Sequence, residues 1–202
     1  MHKDAFLQCY PFWSTHASLA EGFSDYDGAL GDEPGAPHKG IDYIVRAGGA
    51  FMSFDVCAMH DGMAYQGVSD SWGNFVYLMT RPNGDGIIYA TVYAHLDGMP
   101  SEIPLYTGDE GISLPWIEAK TQIGRAGTSG DTKGRHQLHI ELHTRGASRR
   151  RDSSITKIDP YGLNDRASSG RYPKPGSSLK GLDHFWTSNL PSFADGDPYH
   201  GI

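Results

Sequence analysis

Three short stretches of the 202-residue chain carry side chains that could do chemistry: His38-Lys-Gly-Ile-Asp42, Tyr93-Ala-His95-Leu96 and His136-Gln-Leu-His139-Ile-Glu141. Between them they can supply a first-row metal with two imidazoles and one carboxylate, and still leave two imidazoles to move protons. Two His and one Asp make a three-ligand set of the kind that catalytic zinc uses, with the fourth position open to water. Water on such a centre ionises near neutral pH, so a hydrolytic nucleophile arises without Ser or Cys.

Strands must position these residues. His38 and Asp42 run straight into Ile41, Tyr43, Ile44 and Val45, a β-branched and aromatic run that reads as a strand start. Gly40 suits a tight bend, so His38 and Asp42 flank it and can point into one cavity; alone, the spacing also fits a surface His beside a turn Asp. His95 closes Ile87–His95, a run rich in strand formers. Alternation predicts Tyr89, Thr91, Tyr93 and His95 on one face, where a half-exposed strand-end His is the plain alternative. Leu138–His143 alternates with period two, which puts His139, Glu141 and His143 on a common face. A buried structural His is the alternative there, and the zincin motif, which needs Glu directly after its first His on a helix, is excluded.

Taken together, H-x-x-x-D, a strand ending Y-x-H-L and an L-H-x-E-L strand resemble the lysostaphin-type (LytM-type) zinc metallopeptidases that cut bacterial peptidoglycan peptides. "PHKGIDYIV", "AMHDGMAYQGVSDSWGNFVYLM", "YATVYAHL", "QIGRAGTSGDTKGRHQLHIEL" and "DPYG" fall in that family's order and at about its distances, over residues 20–163. The resemblance implies an all-β fold of antiparallel sheets, a duplicated hybrid motif forming a sandwich or open barrel with the metal in a groove. It implies His38, Asp42 and His139 as ligands of one Zn(2+) per chain, with His95 and the first His of an H-x-H pair as catalytic residues. At that pair the chain departs from the family's G-x-H-L-H-F-E. Counting back from His139 meets Gln137, whereas counting forward from Gly134 meets His136 with one residue to spare. A regular strand would send His136 to the face opposite His139. A β-bulge would re-aim it toward the metal, and the expectation adopted is a bulge with His136 catalytic. With a regular strand Gln137 would face the metal, and Gln carries no proton near neutral pH.

Composition agrees with a β protein: 26 Gly and 12 Pro, with Gly/Asp/Asn clusters breaking the apolar runs. A net charge of −7 argues against a nucleic-acid or anionic-membrane surface. No apolar run reaches the 18 residues that a membrane-spanning helix needs, and the N-terminus lacks the apolar centre of a signal peptide. The expected setting is extracellular or the cell envelope, as a mature fragment, or a phage or lysis context, with a monomer acting on peptidoglycan peptide. Cys9 and Cys57 read as two separate buried thiols or as a disulfide of an extracellular protein.

The expected organisation is a metallopeptidase domain over 1–163 (core 20–163) and a linker-like extension over 164–202 that docks through Phe185, Trp186, Phe193 and Tyr199. Residues 1–37 read as an irregular arm. Strands are expected at Tyr43–Ala47, Phe54–Met59, Met63–Val68, Phe75–Met79, Ile87–His95, Ile123–Gly127 and His136–Thr144, and the loop 97–118 as a wall of the groove. Two functions follow: a zinc endopeptidase of peptidoglycan, or a catalytically weak or inactive relative that binds cell-wall material or regulates another hydrolase.

Overall fold

The computed structural model describes residues 1–13, 17–23, 38–106, 113–146, 155–163 and 172–194. Eleven strands form in chain order: β1 (Ala17–Glu21), β2 (Ile41–Ala47), β3 (Ala50–Met52), β4 (Asp55–Cys57), β5 (Gly62–Ser69), β6 (Gly73–Met79), β7 (Ile87–Ala94), β8 (Trp116–Ile117), β9 (Gln122–Arg125), β10 (Leu138–Gly146) and β11 (Thr156–Ile158). The described residues contain no α-helix, and none is therefore long and apolar enough to cross a membrane. The fold is all-β. Nine strands form one open, antiparallel sheet in the order β1-β2-β10-β7-β6-β5-β8, with β3 folded onto β2 and β11 paired to β10; β4 and β9 make a separate pair.

Strand β10 is the spine of this sheet. Along one edge it pairs with β7 from His139 to Gly146; β2 takes Leu138–Ile140, and β11 takes Leu142–Thr144. Its alternation explains its place. Leu138, Ile140 and Leu142 enter the main core with Ile41, Tyr43, Tyr93 and Leu96, each worth about 1.5–3 kcal/mol when fully buried. His139, Glu141 and His143 stand on the other face, opposite Ala94, Val92 and Ala90 of β7. That face carries a second, aromatic-rich cluster built from Tyr77, Tyr65, Trp72 and Phe75. Tyr106 packs on Tyr65 at 4.9 Å between ring centroids, so the described start of the 97–118 loop lies over this same side of the sheet. Residues 107–112 of that loop lie outside the described residues.

The N-terminal arm is more ordered than expected. Leu7 and Cys9 form parallel bridges with Trp186 and Ser192, and Phe185, Trp186 and Phe193 are buried in the main core. Trp186 packs on Tyr10 and Tyr161, with centroids 5.5 and 4.6 Å away. The segment 172–194 thus docks through its aromatics. Residues 164–171 of the expected linker and Tyr199 lie outside the described residues. Cys9 and Cys57 are both buried and are not joined in a disulfide. The Cys9 thiol donates to the Ala58 carbonyl at 3.4 Å, and burial pushes it up to about 12, while Trp13 Nε1 donates to Cys57 Sγ at 2.6 Å.

Candidate metal centre

Antiparallel pairing of β2 with β10 sets His139 directly opposite Asp42, and His38 lies one short bend before β2. The three side chains meet. His38 Nε2 is 3.0 Å from His139 Nδ1 and 3.6 Å from Asp42 Oδ1, and His139 Nδ1 is 2.7 Å from the same oxygen. All three residues are buried. They are the one His/Cys/Asp/Glu cluster with metal-binding geometry among the described residues. Ligand atoms on a tetrahedral centre with arms of 2.0–2.1 Å stand about 3.3 Å apart, and the observed separations bracket that spacing.

The outward nitrogens settle which atoms are left for a metal. A carbonyl can only accept, so His38 Nδ1 donates to Gly22 O at 2.9 Å and its Nε2 keeps the lone pair facing inward. His139 Nε2 donates to Glu141 Oε1 at 3.2 Å, which turns Nδ1 inward. Metal-binding imidazoles are almost always anchored in this way, by a carbonyl or carboxylate on the far nitrogen. The residues fit a zinc-type centre with an Nε2, Nδ1, Oδ1 donor set.

Electrostatics bind the trio together. Burial alone would raise the Asp42 carboxyl, but the adjacent His38 and His139 rings hold it well below the usual carboxylate range. Burial would lower His139; Asp42, with Glu141 behind it, overrides this and raises the ring to about 10. His38 is likewise depressed by burial but raised on balance by Asp42.

Gly40 is needed for close approach. A Cβ there would press into the Ile140 carbonyl oxygen and come within 2.8 Å of His139 Cε1. Gly40→Ala should therefore push His139 off its present position and weaken zinc affinity by about tenfold, the lower end of what outer-sphere changes cost. Chelator competition measures this, and an unchanged affinity would show that the loop yields instead.

His95 reaches the cluster by a route that alternation does not predict. Tyr89 and Tyr93 of β7 point into the main core, and Thr91 meets the buried His60 at 3.0 Å. The expected common face with His95 is thus corrected. His95 has a φ of +63°, a left-handed conformation rare for a residue with a Cβ, and it turns the ring to the opposite face, 5.8 Å from the His139 ring. Long-range hydrogen bonds hold the strained turn: His95 N–H to Trp72 O at 2.8 Å, Leu96 N–H to Asn74 O at 3.0 Å, and His95 Nδ1 to Ser129 O at 2.9 Å. Because Nδ1 donates to that carbonyl, Nε2 of the neutral ring is the basic nitrogen. Burial first, and then the His139 charge, lower the His95 pKa. Backbone strain of this kind concentrates at functional sites.

His136 is not brought into the cluster. Strand β10 begins at Leu138, its ladders to β7 and β2 run without a register shift, and Gln137 N–H bridges to Gly127 O at 3.1 Å. There is no bulge in these ladders. Alternation back from His139 then gives its face to Gln137, which is buried with its Oε1 unpartnered among the described residues. His136 stands beside Asp97, Nδ1 to Oδ2 3.6 Å, an ion-pair separation too long for a hydrogen bond. No hydrogen bond or ring contact links it to His38, Asp42, His95 or His139 among the described residues. Glu141 is a further participant, bonded to His139; period-two alternation predicts its face but no motif predicts its role.

No family profile matches the chain, and no curated protein matches it in sequence. Among solved structures it is similar to the antimicrobial peptidase lysostaphin from Staphylococcus simulans, with a TM-score of 0.53 and 19% identity over 86% of this chain and 62% of that one. A solution structure of lysostaphin matches at a TM-score of 0.48 and 20% identity, over 84% of this chain and 58% of that one. LytU matches at 0.48 and 17%, over 74% and 84% respectively. The chain spans 62% of the length of the first of these, and the likeness is one of fold.

Proposed function

We propose that the chain is a zinc endopeptidase acting on the peptides of bacterial peptidoglycan, outside the cytoplasm. The observation that carries this reading is the convergence of His38 Nε2, Asp42 Oδ1 and His139 Nδ1, with the far nitrogen of each ring anchored. Support also comes from a fold shared with an antimicrobial peptidase, and from the motif order in the sequence. One zinc held by these atoms would supply Lewis acidity, bringing water ionisation near neutral pH and polarising a carbonyl. His95, neutral and oriented by Ser129, accepts the proton of the attacking water at Nε2 and returns it to the departing amine. The Gly22 carbonyl and Glu141 keep the two ligand rings, His38 and His139, in the required orientation.

His136 was the expected second proton carrier; its place beside Asp97 leaves that work to His95 in this reading. The same observation favours a second reading, a chain that binds zinc and cell-wall peptide but turns over slowly. One experiment separates the two. Zinc content of the purified chain is measured, and purified peptidoglycan is digested with mass analysis of the fragments. One zinc per chain with new peptide termini supports the enzyme. Bound zinc with few or no fragments supports the second reading, and absence of zinc refutes both.

A further inference from the structure

Behind His139 lies a charged network of which the proposed chemistry uses only the bond from Glu141. Glu141, its side chain 3% exposed, accepts from His139 Nε2 through Oε1 and from His143 Nε2 through Oε2, at 3.2 and 2.7 Å. The second nitrogen of His143, Nδ1, accepts from the Tyr77 hydroxyl at 3.2 Å. With a metal on Nδ1 the His139 ring would be neutral, and a buried carboxylate with only neutral partners is costly; a full positive charge offsets this. Lys157 of β11 provides it, with Nζ 2.9 Å from Oε1 and 2.7 Å from Oε2. The same ammonium lies 5.5 Å from the centroid of the Trp72 ring, within reach of a cation–π contact. The Trp72 carbonyl, in turn, receives the N–H of His95 and helps to hold its left-handed turn.

We propose that Lys157 is a positioning residue of the metal centre, acting through Glu141 on His139 and through Trp72 on the turn that carries His95. This rests on the reading of His38, Asp42 and His139 as zinc ligands. Lys157 lies in none of the stretches that hold site residues. Two features set it apart from an ordinary surface ion pair: both of its carboxylate contacts go to a buried group, and that group is bonded to a ligand ring. Pairing of β11 to β10, with Lys157 opposite His143, places it there.

The test uses the full chain with zinc and with cobalt(II), as unaltered protein, Lys157→Met, Lys157→Arg and Glu141→Gln. Lys157→Met keeps an unbranched side chain of similar length and removes the charge. Its zinc affinity, read by chelator competition, should fall about tenfold, and Glu141→Gln should lose about 10- to 100-fold. The cobalt(II) absorption bands should shift in both, because the His139 ring loses its fixed orientation. Lys157→Arg should restore most of the affinity and the spectrum, which a purely structural role would not require. If Lys157→Met fails to fold, Glu141→Gln and Lys157→Arg decide the matter. Uptake by Lys157→Met or Glu141→Gln with unchanged affinity and spectrum overturns this assignment alone. An unaltered chain that takes up neither ion overturns the zinc reading and this assignment with it.

Discussion

Asp42→Ala should lose at least about 100-fold in zinc affinity and all measurable peptide hydrolysis, since even the outer partners of a metal cost 10- to 100-fold when removed. His38→Ala and His139→Ala should behave in the same way. Asp42 has the largest effect because it does two things. Its Oδ1 would contribute a donor atom, and its charge is what overcomes burial to raise the pKa of both rings. Metal ion analysis of the dialysed variants reads the outcome, and full zinc stoichiometry in Asp42→Ala would refute the ligand assignment. The same charge coupling gives a pH signature. In chelator-treated protein His139, raised to about 10, carries its extra proton at neutral pH, and a metal must displace it. Zinc uptake should therefore release a proton, and apparent affinity should climb about tenfold per pH unit from pH 7 toward the His139 value. Calorimetry in two buffers of different protonation enthalpy counts that proton; zero release would mean that the ring is already neutral.

His95→Ala should lower turnover by about 10²–10⁴-fold while zinc stays bound. The ring is 5.8 Å from His139 by centroids and does not belong to the donor cluster, so its loss should spare the metal. Its pKa is lowered, by burial and then by the His139 charge, so the basic form persists below the ordinary histidine value. The acidic limb of kcat that His95 controls should accordingly fall below about pH 6.5. His136→Ala should cost far less than His95→Ala, because His136 stands apart beside Asp97. Steady-state kinetics on a defined peptide, with zinc measured on the same samples, provides the check. Normal turnover in zinc-loaded His95→Ala together with a collapse in His136→Ala would reverse the two roles.

Much of the architecture could be read from the sequence because its cause is local. Strands β2, β5, β6, β7 and β10 each carry enough β-branched, aromatic or alternating residues to declare themselves, and their observed bounds lie within a few residues of expectation. The short strands β3, β8 and β11 have two or three residues each, too few to show a period. Strand β1, with Ala17-Ser-Leu-Ala-Glu21, lay hidden in what reads as an irregular arm. Such segments are strands because a partner edge supplies their hydrogen bonds: β1 and β3 on β2, β11 on β10, and β8 on the distant β5.

The candidate site divides along the same line. The donor types, their spacing and the shared face of His139, Glu141 and His143 can be read along the chain, since strand alternation is a property of the backbone. Three further features come from contacts between distant segments. Pairing of β2 with β10 brought Asp42 opposite His139. An unbroken ladder gave the face of His139 to Gln137 and left His136 beside Asp97, where the sequence alone allowed either register. The carbonyls of Trp72 and Ser129 held His95 in a left-handed turn that local preference disfavours, and so moved its ring across the sheet. A residue's intrinsic preference is worth about a kilocalorie or two, and several converging long-range hydrogen bonds can outweigh it; neither their existence nor their direction is written in the residues nearby.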